Sequence, residues 1–187
     1  MANAADEGEE EIHWLQDTWS FYFHDPDDPR WTLESYHRLG GAATVEDMWE
    51  LQSAIEDKVP HGMFFVMRED VFPCWDDKHN INGGCLSIKV PVRAAAPAWE
   101  LLLKRALGET LLSDASAWSV VNGLSISPKR GFCIVKLWLA DERHTAREAF
   151  RLPEDYRGEV VYRSNRDNMQ MDAQKATSAG RVTSVNP

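Results

Sequence analysis

Cysteine is sparse in this chain, and its three copies, Cys74, Cys85 and Cys133, never form a C-x-x-C knuckle. The spacing Cys74, His79, Cys85 offers three metal-binding side chains but no evident fourth ligand, so the thiols read as buried packing and not as a zinc site. No apolar, signal-like stretch stands at the start, which together with the few cysteines predicts a reducing compartment, read as the cytoplasm. No run approaches the roughly 20 apolar residues of a membrane-spanning helix, so no membrane association is expected. Net positive charge is missing too. A formal charge of −10 excludes the broad basic footprint that duplex nucleic acid requires, so a nucleic acid would have to be held at one local pocket. The histidines (13, 24, 37, 61, 79 and 144) are scattered, and none stands in a recognisable relation to a Cys or Ser nucleophile. Asp76 and Asp77 alone are too few carboxylates for metal-assisted cleavage of a pyrophosphate. Catalysis, a metal and a cofactor are therefore not expected.

What the chain does have is tryptophan, eight in 187 residues. Trp supplies core area anywhere, and it is also a preferred plate for bases and cations. One segment places it beside a carboxylate among turn residues: Pro73-Cys74-Trp75-Asp76-Asp77, then Lys78-His79-Asn80 and Gly83-Gly84. An indole can stack on a flat ring while the neighbouring carboxylate accepts hydrogen bonds from that ring's edge. Guanine offers two adjacent N–H donors there, and a methylated guanine adds positive charge. A core Trp next to a surface acid is the plainer reading of the dipeptide taken alone.

The length and a 43% apolar content suit one domain with a real core. Residues 1–12, with the run Asp6 to Glu11, read as a disordered acidic tail. Trp19 to Phe23 is a strand-like aromatic run, closed by the loop His24-Asp25-Pro26-Asp27-Asp28-Pro29, with Trp31 isolated just beyond it. Gly40-Gly41 reads as a second loop. Thr44 is an N-cap with Asp47 as its capping-box partner, opening a helix from Val45 to about Asp57. Met48, Leu51 and Ile55 make its core stripe, and Trp49 projects roughly 120° away, near Val45. That leaves two readings for Trp49: part of a broad buried face, or a docking patch for a partner helix.

Met63 to Arg68 and Leu86 to Val90 read as strands. A second helix is predicted to start at Pro97 and stop at Gly108, with Trp99, Leu102, Leu103 and Leu107 on its apolar face and Leu101 projecting away from it. Strands at about Trp118 to Ile126 and Phe132 to Leu139 form a hairpin with the basic tip Ser127-Pro128-Lys129-Arg130-Gly131. In the second of these, Lys136 and Trp138 share one face, which can line a cleft, while Cys133, Val135, Leu137 and Leu139 share the core face. A short helix near Thr145 to Phe150 and a strand at Val160 to Arg163 follow. Residues 164–187 read as a polar, flexible segment, leaving residues 13–163 as the folded domain. Hairpin-paired strands with helices bearing one apolar face point to an α+β fold, an antiparallel sheet with its helices packed on a single side.

The ordered series His13-Trp14-Leu15-Gln16 with Trp19, Trp31, Val45-Glu46-Asp47-Met48-Trp49, Pro73 to Asp77 through Gly83-Gly84, Trp99 with Gly108-Glu109, and Trp138 resembles the mRNA cap-binding translation initiation factor 4E family. The resemblance implies a single curved sheet shaped like a cupped hand, helices on its convex back, and a ligand cleft on the concave side. It implies that Trp31 and Trp75 sandwich the 7-methylguanine of a capped mRNA 5′ end. Asp76 would then bind the base edge, Trp138 would touch the N7-methyl, and Lys129 and Arg130 would meet the cap phosphates. Lys136 joins them because it shares a strand face with Trp138. The resemblance also implies a partner, a 4G-like scaffold or a 4E-binding protein, whose amphipathic helix would dock on Val45 and Trp49, and the outward-projecting Leu101 would extend that patch. The protein is expected to act as a monomer.

The chain departs from the family pattern at several of these places. Asp76 stands where Glu is usual, one methylene shorter, and Asp77 is a possible helper. Cys85 replaces the Arg of a Gly-Gly-Arg-Trp motif, Gly131 and Ile134 stand where lysines are usual, and Trp14 replaces a Pro. Fewer phosphate cations predict weaker cap affinity. The alternative function is accordingly a cap-weak paralogue acting as a protein-interaction decoy or translational repressor.

Overall fold

Among the described residues, seven strands form one open antiparallel sheet in the order β2-β1-β3-β5-β6-β4-β7. They are β1 (Trp14–His24), β2 (Tyr36–Thr44), β3 (Met63–Arg68), β4 (Gly84–Pro91), β5 (Val121–Lys129), β6 (Phe132–Leu139) and β7 (Val160–Ser164). The α-helices of the described residues are α1 (Val45–Ile55), α2 (Val92–Leu107) and α3 (Asn165–Val182), the last following β7. The computed structural model describes residues 11–154, 156 and 158–182; residues 1–10, which hold nearly all of the expected acidic tail, lie outside that set. The α+β class and the single curved antiparallel sheet are as expected.

Alternation along the strands divides the side chains between two clusters. On one face Phe21, Val66, Ile88, Leu124, Val135 and Leu137 pack with the buried residues of α1 and α2. On the other face lies a smaller cluster of Met63, Phe65, Met67, Cys85 and Trp138. The two faces of β6 fall as its alternation predicts. Trp99, Leu102, Leu103 and Leu107 of α2 are buried, each contributing about 1.5–3 kcal/mol by leaving water. The two helices are tied together where the Trp99 indole N–H donates to Gln52 Oε1 at 3.0 Å, a buried polar pair that satisfies both groups. The Thr44–Asp47 capping box that opens α1 is present, with both reciprocal hydrogen bonds at 3.0 Å.

Three features differ from the sequence reading. Gly40 and Gly41 lie inside β2 and not in a loop; a Cβ on Gly40 would stand 2.8 Å from a Leu51 methyl, so the glycine gives α1 room to close on the sheet. Helix α2 begins at Val92 and carries Pro97 within it, because Ala94, Ala95 and Ala96 favour helix strongly and Ala95 is fully buried. The largest correction concerns residues 164–187. Residues 165–182 are helical, with Asn165 and Asn168 buried, and α3 contributes to a cavity on the concave side while α1 and α2 cover the opposite face. The helices are therefore not all on the convex back.

Candidate functional site

A cavity of about 700 Å³ opens on the face of the sheet opposite α1 and α2. Its floor is Trp138, only 3% exposed, with the indole N–H donating to Ser125 Oγ at 2.9 Å and the ring edge-on to Phe65. That hydrogen bond fixes the indole, so its face towards the cavity is held in one orientation. A second cavity of about 630 Å³, between Phe23, Leu39, Leu51 and Phe64, has no tryptophan in its lining.

Trp31 forms one wall from the loop between β1 and β2 and keeps 58% of its surface exposed. His24 stacks on it with ring centroids 4.1 Å apart and planes 12° from parallel. The two nitrogens of this buried imidazole face the carbonyl oxygens of Asp25 and Arg30, each at 2.8 Å, which pins the start of the loop and the residue before Trp31. Within the loop, Arg30 donates to the Asp28 carboxylate from its backbone and its guanidinium, holding that carboxyl well below the usual carboxylate range.

Trp75 stands in the turn that precedes β4, half-buried, with the Lys136 ammonium 5.4 Å from its ring centre. The turn is held from beneath by Asn80, which is fully buried. Its side-chain amide donates to the carbonyls of Phe72 and Cys74, both at 2.9 Å, and its Oδ1 accepts from Asn122 at 2.9 Å. Its backbone carbonyl accepts from the Asn165 side chain at 2.8 Å. Asp76 is exposed and lines the cavity. Asp77, the possible helper, turns away from it: the carboxylate accepts from the backbone N–H groups of Phe72 and His79 and so shapes the turn itself. Tyr36 closes the back of the slot by donating to the Pro73 carbonyl at 3.0 Å. Burial, with Cys74 and Asp76 nearby, raises its phenol above the ordinary range. The Cys74 thiol is likewise pushed up to about 12, by burial first and then by Asp76.

Of the three cations singled out from sequence, Lys129 and Lys136 line the cavity. Arg130 does not; it sits exposed at the hairpin tip beside Gly131, whose φ of 85° makes the turn. Arg163 on β7 also lines it, as do four α3 residues that sequence reasoning missed: Asn168, Met169, Met171 and Asp172. Asn168, Met169 and Asp172 follow helical spacing from Asn165 (i, i+3, i+4, i+7). The inward positions are mostly polar, so a search for apolar periodicity passes over them.

Val45, Trp49 and Leu101 lie on the opposite side of the molecule, on α1 and α2. Val45 and Leu101 are half-buried, and Trp49 is 40% exposed, so it is not simply core. The Lys104 ammonium lies 4.7 Å from the Trp49 ring centre while also donating to Glu100 at 2.6 Å. Trp14, at the start of β1, is 73% exposed.

The cavity thus presents two indoles, a third indole as floor, the exposed carboxylates of Asp76 and Asp172, and several cations. That set suits a flat, electron-poor ring with edge N–H donors and a trailing anionic group.

A family model described as Eukaryotic initiation factor 4E matches residues 14–181. The chain is 27% identical over 139 residues to the Eukaryotic translation initiation factor 4E of Eremothecium gossypii, covering 70% of this chain and 64% of that protein. It is 33% identical over 64 residues to the Eukaryotic translation initiation factor 4E homolog of Acanthamoeba polyphaga mimivirus, 34% of this chain and 24% of that protein. The matched stretches therefore cover less than two-thirds of these relatives' own length. Among solved structures, C. elegans eIF4E-3 in complex with the 4E-binding protein Mextli and a cap analog has a TM-score of 0.73 at 19% identity, over 86% of this chain and 96% of that one. Schistosome eIF4E complexed with m7GpppG and 4E-BP gives 0.64 at 24% identity, over 72% and 76%. At these identities the structural likeness speaks for the fold.

Proposed function

Because the chain belongs to the eukaryotic initiation factor 4E family, we propose that it binds the 7-methylguanosine 5′ cap of mRNA and brings that mRNA to a scaffold partner in translation initiation. The observation that carries this reading is the convergence of Trp31, Trp75, Asp76 and Trp138 on one cavity. The methylated base enters between Trp31 and Trp75. Each aromatic contact is worth about 1–3 kcal/mol, and the positive charge created by N7-methylation adds cation–π attraction. Asp76 accepts hydrogen bonds from N1–H and the exocyclic amino group, while Trp138 meets the N7-methyl. Lys129 and Lys136 lie where the phosphates leave the slot, and Arg130 can reach them only from the hairpin tip. No bond is made or broken in this role, and no cofactor takes part. The proposed setting is the cytoplasm.

Val45, Trp49 and Leu101 supply the docking patch for the amphipathic helix of a 4G-like scaffold or a 4E-binding protein. The Mextli and 4E-BP complexes of the structural relatives support that partner class. Titration with 7-methyl-GTP and with GTP, followed by Trp fluorescence, tests the cap reading. Strong quenching by the methylated nucleotide alone is expected, and equal responses would overturn it. The decoy reading draws on Cys85, a neutral residue in the cavity-side cluster. Capture of a scaffold together with no retention on cap resin would select it.

A further inference from the structure

The cations recognised so far come from β6 and its hairpin, on one side of the cavity. A polyphosphate chain leaving the base slot needs charge on both sides, and more so in a protein of net charge −10 with Asp172 at the same mouth. The strand register shows where the second side is. Cys85 on β4 stands directly opposite Trp138 of β6 and, on its other flank, directly opposite Arg163 of β7. Directly opposed residues in adjacent strands project to the same face. Trp138 and Cys85 both belong to the concave-side cluster, so Arg163 continues that row, and it is exposed at the cavity wall.

Its position is fixed from both ends. A Cβ on Gly84 would collide with the Arg163 carbonyl, so glycine there lets β7 close tightly on β4. Two residues on, the Asn165 N–H donates to the Gly83 carbonyl at 2.9 Å and its side chain to Asn80, the residue that carries the Trp75 turn. The guanidinium is thereby referenced to the same scaffold as the stacking wall. Cys85 supplies no charge of its own, because burial holds it as the neutral thiol.

We propose that Arg163 is a polyphosphate-binding residue of this pocket, gripping the cap phosphates from the β7 side opposite Lys136. The proposal rests on the cap reading above. A guanidinium offers a planar fork that pairs two phosphate oxygens at once, which a lysine cannot do. Arg163 would then set how strongly affinity depends on phosphate number and leave base recognition to the tryptophans.

The test is the affinity of the full chain and three variants for 7-methyl-GTP and for 7-methylguanosine, which has no phosphate. Arg163→Gln should weaken 7-methyl-GTP binding by roughly 10–100-fold, the scale of a charge-assisted pair, and leave 7-methylguanosine unchanged. Arg163→Lys should retain an intermediate affinity. Arg166→Gln makes the same change in net charge at an exposed residue that bonds Asn82, and should move neither ligand more than about twofold. Equal losses for the two Gln variants, a loss shared by the nucleoside, or no loss in Arg163→Gln would each overturn the assignment. A parent protein that fails to prefer 7-methyl-GTP over GTP would instead defeat the cap reading, so the two failures are distinct.

Discussion

The imidazole of His24 lies nearly parallel to the indole of Trp31, with ring centres 4.1 Å apart, while its two nitrogens face the carbonyls of Asp25 and Arg30 in the loop that carries that indole. One side chain thus both closes the loop and backs the stacking wall. The outer face of Trp31 is left exposed, and its inner face is already occupied.

Replacing that ring separates the two roles. His24→Phe retains an aromatic plate and removes the bonds to Asp25 and Arg30. A stability loss of about 1–3 kcal/mol in urea denaturation is expected from those bonds. Affinity for 7-methyl-GTP should fall by roughly 3–10-fold as the Trp31 loop loosens, and His24→Ala, which also removes the plate, should lose more. Unchanged affinity in both variants would show that Trp31 does not need its backing.

Asn80→Ala strips partners from the Phe72 and Cys74 carbonyls and from the Asn122 amide in a dry environment. Each of these groups keeps one other partner, so the loss of three buried hydrogen bonds predicts a cost of about 2–4 kcal/mol. Because these bonds hold the Trp75 turn, cap-analogue affinity should drop as well, in a protein whose far-ultraviolet circular dichroism is native. A stability change under about 0.5 kcal/mol would contradict the role given to the amide, since that is the scale of ordinary surface substitutions.

On the opposite face, Lys104 covers Trp49 and simultaneously holds Glu100. A docking helix must displace that ammonium. Lys104→Leu should tighten binding of a 4E-binding peptide, and Trp49→Ala should weaken it by about 2 kcal/mol or more, roughly 30-fold, as for an interface anchor. Neither change should alter 7-methyl-GTP binding. Calorimetric titration of both ligands against both variants checks this.

The fold should also lose stability in alkali. Burial pushes the Cys85 thiol and the Tyr162 phenol up to about 12, and raises Tyr36 above the ordinary phenol range. Unfolded thiols and phenols titrate near 8.5 and 10. Each folded value lies above its unfolded one, so the folded chain holds more protons once the pH passes about 8.5. The stability they contribute is fully present below that point and is lost as pH rises. A urea midpoint that is steady from pH 7 to 8 and falls from about pH 9 is the expected profile, and a flat midpoint to pH 10.5 would refute it.

Much of this architecture was legible in the residues because local rules and packing agree there. The Thr44–Asp47 box, the apolar face of α2 and the two faces of β6 each follow from spacing, and the structure retains them. The cavity-lining positions of Trp31, Trp75, Asp76, Trp138, Lys129 and Lys136 came from the ordered tryptophans and strand alternation together. What escaped was set by contacts distant in sequence. Gly40 looks like a chain breaker until Leu51 is seen lying against it. Helix α3 has few apolar residues, so nothing local marks which of its faces meets the cavity. Arg163 is an ordinary exposed arginine until the register sets it across from Cys85.

The asparagines at 80, 122 and 165 come from three separate stretches of the chain and meet in one buried amide cluster. The cluster couples the stacking wall to the sheet edge, because Asn80, which carries the Trp75 turn, also accepts from Asn165, the residue that follows β7. A local opening of β7 therefore takes a partner from the residue beneath that turn, so fraying at the edge strand and loosening of the ligand slot share one set of bonds.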